Sequence, residues 1–196
     1  MRKQTIERET RETRGRVTLN LDGKGETKIK TGIGLLDHLL TLMGFHAGFD
    51  LEFEIRGDLE VDDHHTVEDA GILLGQALDR CLEDRKGIAR YGFFLLPMDE
   101  VLARVTVDIS GRSGCFDEFT LEREKIDDMA LENALEFFRA LVRTCPMTLH
   151  LDIIKPGNSH HQVEALFKCL GRALSEAIRL TGKNAIPSTK GKLNES

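Results

Sequence analysis

No apolar run in these 196 residues approaches the roughly 20 needed to cross a bilayer, so no membrane span is expected. No secretory leader is expected either, because Met1 to Thr13 is charged throughout, and the expected location is cytoplasmic. There is no C-x-x-C pair: Cys81, Cys115, Cys145 and Cys169 are scattered, which argues for reduced thiols and against a thiolate metal site. Positive charge is not in excess. Lys plus Arg total 27 against 33 for Asp plus Glu, a net charge of -6, so the long-range field repels nucleic acid and anionic membrane, and neither is an expected partner. Any bound anion must be held by a local basic cluster. What remains is 40% hydrophobic residues in a length that suits one substantial core, or two small halves sharing one.

The chain does contain a repeat. His64-His65-Thr66-Val67-Glu68 recurs as His160-His161-Gln162-Val163-Glu164, an offset of 96 residues. Both copies continue into similar helical sequence, Ala70 to Leu78 and Leu166 to Leu174, which makes duplication a better account than coincidence.

Element signals repeat in the same order. A charged arm precedes the alternating stretch Arg16 to Leu21; Asp22-Gly23-Lys24-Gly25 supplies turn chemistry, and Glu26 to Lys30 reads as the returning strand of a hairpin. Leucines at helical spacing follow over Ile33 to His46, then strict alternation over Phe49 to Ile55, then a helix from the first His-His pair to about Glu83. The second half has strands over Phe93 to Leu96 and Val101 to Ile109, a helix over Asp127 to Thr144, a strand over Met147 to Ile153 and a helix over Ser159 to Leu180. A tail with Pro187, Ser188, Thr189 and Lys190 ends the chain. Hairpins rather than β-α-β crossovers, with helices interleaved, predict an internally duplicated α+β fold: two β-sheets with helices packed between them. The repeats are residues 1–88 and 89–196, together one functional domain.

The repeated pentapeptide carries metal-binding chemistry. Ser159, and Asp63 in the first copy, are the expected helix N-caps, which places both histidine pairs in a first turn. Glu68 then lies one turn from His64 and His65, so it can share an ion with either, while adjacent imidazoles diverge by about 100° and suit two different ions. The positive end of a helix also keeps the rings neutral. Imidazole and carboxylate without thiolate admit zinc, manganese, iron, nickel or cobalt. Each pattern supplies at most three ligands; His38, His46 and His150 are the unassigned histidines.

A longer ordered series covers nearly the whole chain: Arg11-Glu12-Thr13, Leu21-Asp22-Gly23, Thr31-Gly32-Ile33-Gly34 through Leu36-Asp37-His38, Gly57-Asp58-Leu59, Asp62 through Asp69, and Gly87 through Gly92. It continues with Pro97-Met98-Asp99-Glu100, Asp108-Ile109-Ser110-Gly111-Arg112, His160-His161 through Phe167-Lys168, and Pro187-Ser188-Thr189-Lys190-Gly191. On these residues the chain resembles the imidazoleglycerol-phosphate dehydratase family of histidine biosynthesis. The resemblance implies a lyase that dehydrates D-erythro-imidazole glycerol phosphate to imidazole acetol phosphate. It implies two Mn2+ ions, a metal-bound imidazolate and a diazafulvene-like intermediate, because the hydrogen lost has no adjacent carbonyl to acidify it.

Carried over by position, the implied metal ligands are His38, His64, His65, Glu68, His160, His161 and Glu164. Where relatives have a histidine before a Phe-Phe pair, this chain has Glu136 before Phe137-Phe138, mirroring His38 before Leu39-Leu40, and Glu136 is taken as the eighth ligand. It also belongs to a polar helical stripe with Asn133, Arg139 and Arg143. Glu12, with His64, Glu68 and Glu164, is the implied catalytic set. Glu12, His38, His46, Arg90, Arg112, Ser188, Thr189 and Lys190 are the implied substrate contacts, Arg90, Arg112, Ser188 and Lys190 clamping the phosphate. Asp99 is a further candidate for the pocket, and His150 reads as structural. The family further implies a large homo-oligomer, of about 24 subunits, with metal sites between chains. A binuclear hydrolase and a metal-bridged storage protein are the competing readings of the ligands alone.

Overall fold

A computed structural model describes residues 2–193. Its first sheet contains β1 (Lys3–Glu9), β2 (Thr13–Asn20), β3 (Thr27–Lys30) and β4 (Asp50–Gly57) in the order β1-β2-β4-β3. Its second contains β5 (Tyr91–Met98), β6 (Val101–Asp108), β7 (Gly114–Glu118) and β10 (Thr148–Lys155) in the order β5-β6-β10-β7. The two orders are the same topology. A short ribbon, β8 (Lys125–Ile126) with β9 (Met129–Ala130), has no counterpart among the described residues of the first half.

Four helices lie between the sheets: α1 (Gly34–Ala47), α2 (His64–Leu82), α3 (Leu131–Thr144) and α4 (Ser159–Ala177). The duplicated α+β fold expected from the sequence is therefore present, but three local expectations are overturned. Residues 16–30 do not form a hairpin. Instead β4 inserts between β2 and β3, pairing antiparallel with β2 and parallel with β3, so β3-α1-β4 is a crossover unit. The parallel pairing of β7 with β10 repeats it. The physical reason is burial: β4 alternates Leu51, Phe53 and Ile55 inward, and a central position covers that row better than an edge does. The charged arm, secondly, is the edge strand β1. Ile6 faces the core, and the guanidinium of Arg8 donates to the buried carboxylate of Asp69 on α2, which also accepts from the Thr13 hydroxyl.

Helix capping is the third correction. Asn158, not Ser159, is the N-cap of α4, its Oδ1 accepting from the His160 N–H at 2.9 Å. Asp63 does hold the N-cap position of α2, but the accepting side chain there is that of Asp62, whose Oδ1 takes the His64 N–H at 2.8 Å. Ser159 is already helical.

The helices pair across the halves, α1 on α4 and α2 on α3. Glycine sets the closeness of each crossing. A Cβ on Gly171 would overlap the Met43 carbonyl of α1, and one on Gly75 would press on the Leu141 carbonyl of α3. The core is shared, with Phe137, Phe138 and Phe167 packed at ring separations of 4.8 to 5.7 Å. Truncating any one of them to alanine should cost about 3–5 kcal/mol.

The outer faces differ. The first sheet is laced by exposed pairs such as Arg16 with Glu7 and Lys28 with Glu52, which contribute little to stability. The second sheet exposes Tyr91, Phe93, Leu95, Phe116 and Ile154. His150 is there too, stacked on Phe116 at 4.8 Å.

Candidate active site

His38 comes from the first turns of α1 and His160 and Glu164 from the start of α4, and the α1 to α4 crossing brings the three together. Glu164 Oε2 lies 3.0 Å from His38 Nε2 and 3.1 Å from His160 Nε2, and the two rings stack with centroids 5.9 Å apart. Two nitrogens and a carboxylate oxygen, all within 4.8 Å of one another, suit a divalent ion of borderline character. Lys168 Nζ pairs with the other Glu164 oxygen at 2.5 Å. Burial pushes the Glu164 carboxyl up, but hydrogen bonding to Lys168 and His38 and their positive charge outweigh it and hold it down to about 2. The group is a carboxylate throughout the neutral range.

The equivalent constellation at α2 and α3 is arranged differently. His64 Nδ1 is 2.9 Å from Asn133 Oδ1, Glu68 accepts from Arg143 at 2.7 Å, and Glu136 accepts from Arg139 at 2.6 Å. His64, Glu68 and Glu136 thus each hold a partner other than one another. Since Asn133 Oδ1 can only accept, His64 Nδ1 is the donor in this contact, which leaves Nε2 as the nitrogen available to a metal.

The outer histidines follow the same rule. His65 Nδ1 lies 3.0 Å from Asp58, and His161 Nδ1 lies 3.0 Å from Glu100. The hydrogen bond to Asp58, followed by its charge and that of Glu12 and Glu68, raises the His65 pKa against the effect of burial. Glu100 is lowered to about 2, chiefly by the backbone N–H of Asn158. Each Nε2 then faces a carboxylate from the first turn of its own half: Glu12 at 4.0 Å from His65, Asp99 at 4.0 Å from His161. Asp99, Glu100 and His161 form the second compact ligand group among the described residues. The sequence pattern assigns no site role to Asp58, Glu100, Asn133 or Lys168. Asp58, Glu100 and Lys168 stand in motifs that were visible there, but only the fold shows which imidazole each one faces.

The basic residues gather elsewhere. Arg90, at a positive φ of 77°, makes a two-pronged pair with Asp108 at 2.7 and 3.1 Å and donates to the Pro187 carbonyl at 3.0 Å. Asp108 raises its pKa further. Arg112 lines the same cavity as Tyr91 and Asp108. Ser188 Oγ accepts from the Lys190 N–H, so the tail forms a turn beside Arg90 that includes Thr189. The Arg90 N–H bonds to the Ala177 carbonyl at the far end of α4 from His160, roughly 25 Å away at 1.5 Å per residue. His46 lies at the end of α1, its pKa lowered by burial and by Lys168 and Arg172.

Residues 31–174 match the imidazoleglycerol-phosphate dehydratase family. The chain is 49% identical over 191 residues to imidazoleglycerol-phosphate dehydratase of an Exiguobacterium species, covering 97% of this chain and 98% of the relative. It is 50% identical over 192 residues to that of a Thermoanaerobacter species, covering 97% and 99%. The crystal structure of the Staphylococcus aureus dehydratase superposes with a TM-score of 0.81 at 41% identity, over 91% of this chain and 99% of that one. The Pyrococcus furiosus structure gives 0.84 at 34% identity, over 96% and 100%.

Proposed function

The chain belongs to the imidazoleglycerol-phosphate dehydratase family of hydro-lyases, and from that membership we propose that it dehydrates D-erythro-imidazole glycerol phosphate to imidazole acetol phosphate in histidine biosynthesis, with two Mn2+ per subunit and sites shared between subunits. His38, His160 and Glu164 would hold one ion and His64, Glu68 and Glu136 the other, with His65 and His161 completing sites of neighbouring copies. When bound, the ions supply Lewis-acid charge that acidifies the imidazole ring and stabilises the negative charge that develops in it.

This chain's own residues do the rest. Arg90, Arg112, Ser188 and Lys190, with Thr189 in the same turn, grip the phosphate, Arg90 being pre-aimed by Asp108 and the Pro187 carbonyl. Glu12, exposed and beside His65, moves a proton at the carbon that loses hydrogen, while the hydroxyl leaves as water; the enol so formed tautomerises to the ketone. His46, kept neutral by burial and by Lys168 and Arg172, lines the pocket.

The observation that carries the shared site is the roughly 25 Å along α4 between His160 and the Arg90 cluster, too long for a substrate with only three carbons between its ring and its phosphate. The exposed apolar face of the second sheet, Tyr91, Phe93 and Leu95 among it, supports self-association, for which about 24 subunits is the family's expectation.

Protein loaded with Mn2+ is expected to form the ketone product from imidazole glycerol phosphate; absence of turnover at saturating Mn2+ defeats the reading. Chains carrying His160→Ala or Arg90→Ala, each inactive alone, are expected to regain activity when unfolded and refolded together. A mixture that stays inactive defeats the shared site.

A further inference from the structure

The second half carries one segment that the first half lacks. Three residues, 31–33, join β3 to α1, whereas residues 119–130 join β7 to α3 and include the β8-β9 ribbon. We propose that this segment is a positioning buckle, and that Asp128, the residue at its turn, sets the place of His38. The inference rests on the metal reading above and names a residue outside its ligand set.

Helix α1 has no cap of its own. Ile33 stands at its N-cap position, and the nearby Thr31 and Asp37 are occupied with each other, Asp37 Oδ1 accepting from both the Thr31 N–H and its hydroxyl. The Ile33 N–H donates to the Thr31 hydroxyl, and the next two amides are satisfied from the other half: Asp128 Oδ2 accepts from the Gly34 N–H at 2.5 Å and Oδ1 accepts from the Leu35 N–H at 3.4 Å. A carboxylate there also complements the positive helix end. The anchor of Asp128 is firm, since the adjacent Met129 is fully buried.

The same segment touches the other ligand-bearing helices. The Arg123 N–H donates to Ser159 Oγ in the first turn of α4, and the Ala130 N–H donates to Asp63 Oδ2 at the start of α2. Three ties therefore join one segment to the N-termini from which His38, His64, His65, His160 and His161 project. His38 is one turn after Gly34, so a shift of that end is passed to its ring. Ligand distances tolerate about 0.2 Å, and a site about 1 Å too loose fails.

The test is Mn2+ affinity, followed by the ion's electron-spin signal during titration, with hydrogen exchange of the full chain. Asp128→Ala is expected to weaken Mn2+ binding about tenfold or more, in the range seen for partners of metal ligands, and to speed exchange in the first turn of α1. Asp128→Asn, which keeps an accepting oxygen, is expected to recover most of the loss. Ile6→Val, a core change on the remote β1, is expected to leave affinity unchanged despite lowering stability. Wild-type affinity in Asp128→Ala, or an equal loss in Ile6→Val, overturns the proposal. Should wild-type protein bind no Mn2+, the metal reading falls, and unaltered α1 exchange in Asp128→Ala separately overturns the positioning role.

Discussion

His38 Nε2 and Glu164 Oε2 are 126 residues apart in sequence and 3.0 Å apart in space, joined across the two halves by the crossing of α1 over α4. This ligand pair thus belongs to neither repeat alone. Its charge state and the helix crossing that makes it each lead to a measurable consequence.

The pairing makes stability depend on pH with a definite sign. Glu164 titrates at about 2 in the folded chain against 4.5 ordinarily, so its contribution is complete above pH 4.5 and is lost as pH falls toward 2. Metal-free Glu164→Gln should therefore be less stable than wild type at pH 6, by on the order of 2–3 kcal/mol. That gap should shrink as pH falls below 4.5 and close only below pH 2 in urea unfolding. A gap that does not change with pH would show that the carboxylate charge is not what stabilises.

Glu136 is bound to Arg139 by a half-exposed pair, a contact worth about 0–1 kcal/mol, so turning it toward an ion costs little. Glu136→Ala is expected to reduce bound Mn2+ from two ions per chain toward one, by elemental analysis of dialysed protein. Retention of both ions would remove Glu136 from the ligand set.

Gly171→Ala separates packing from propensity. On propensity alone, alanine would stabilise α4 by about 1 kcal/mol. Because the new Cβ meets the Met43 carbonyl, the variant is instead expected to lose about 1–3 kcal/mol, with α1 and His38 displaced from Glu164. A raised unfolding midpoint would refute the close crossing.

Much of this was legible in the chain. Helical spacing located α1, α2 and α4 to within a few residues, because one face of each is buried and its apolar residues recur every three or four positions. The ribbon β8-β9 and strand β7 were not, since Gly114–Glu118 has no buried row to alternate. Crossovers were mistaken for hairpins because turn residues mark a reversal of the chain without saying which strand will fill the gap.

By itself the sequence determined the duplication, the histidine and carboxylate chemistry and the family, since each is a property of residue types at fixed spacing. Tertiary structure alone decided which residues meet. It paired α1 with α4 and α2 with α3, gave Glu164 to His38 and Lys168 while Glu68 went to Arg143, and carried Arg90 to the opposite end of α4 from His160. The reason is that spacing governs only neighbours within a turn or a strand. Contacts over 100 residues depend on how closely two backbones can approach, which here rests on glycines at two helix crossings.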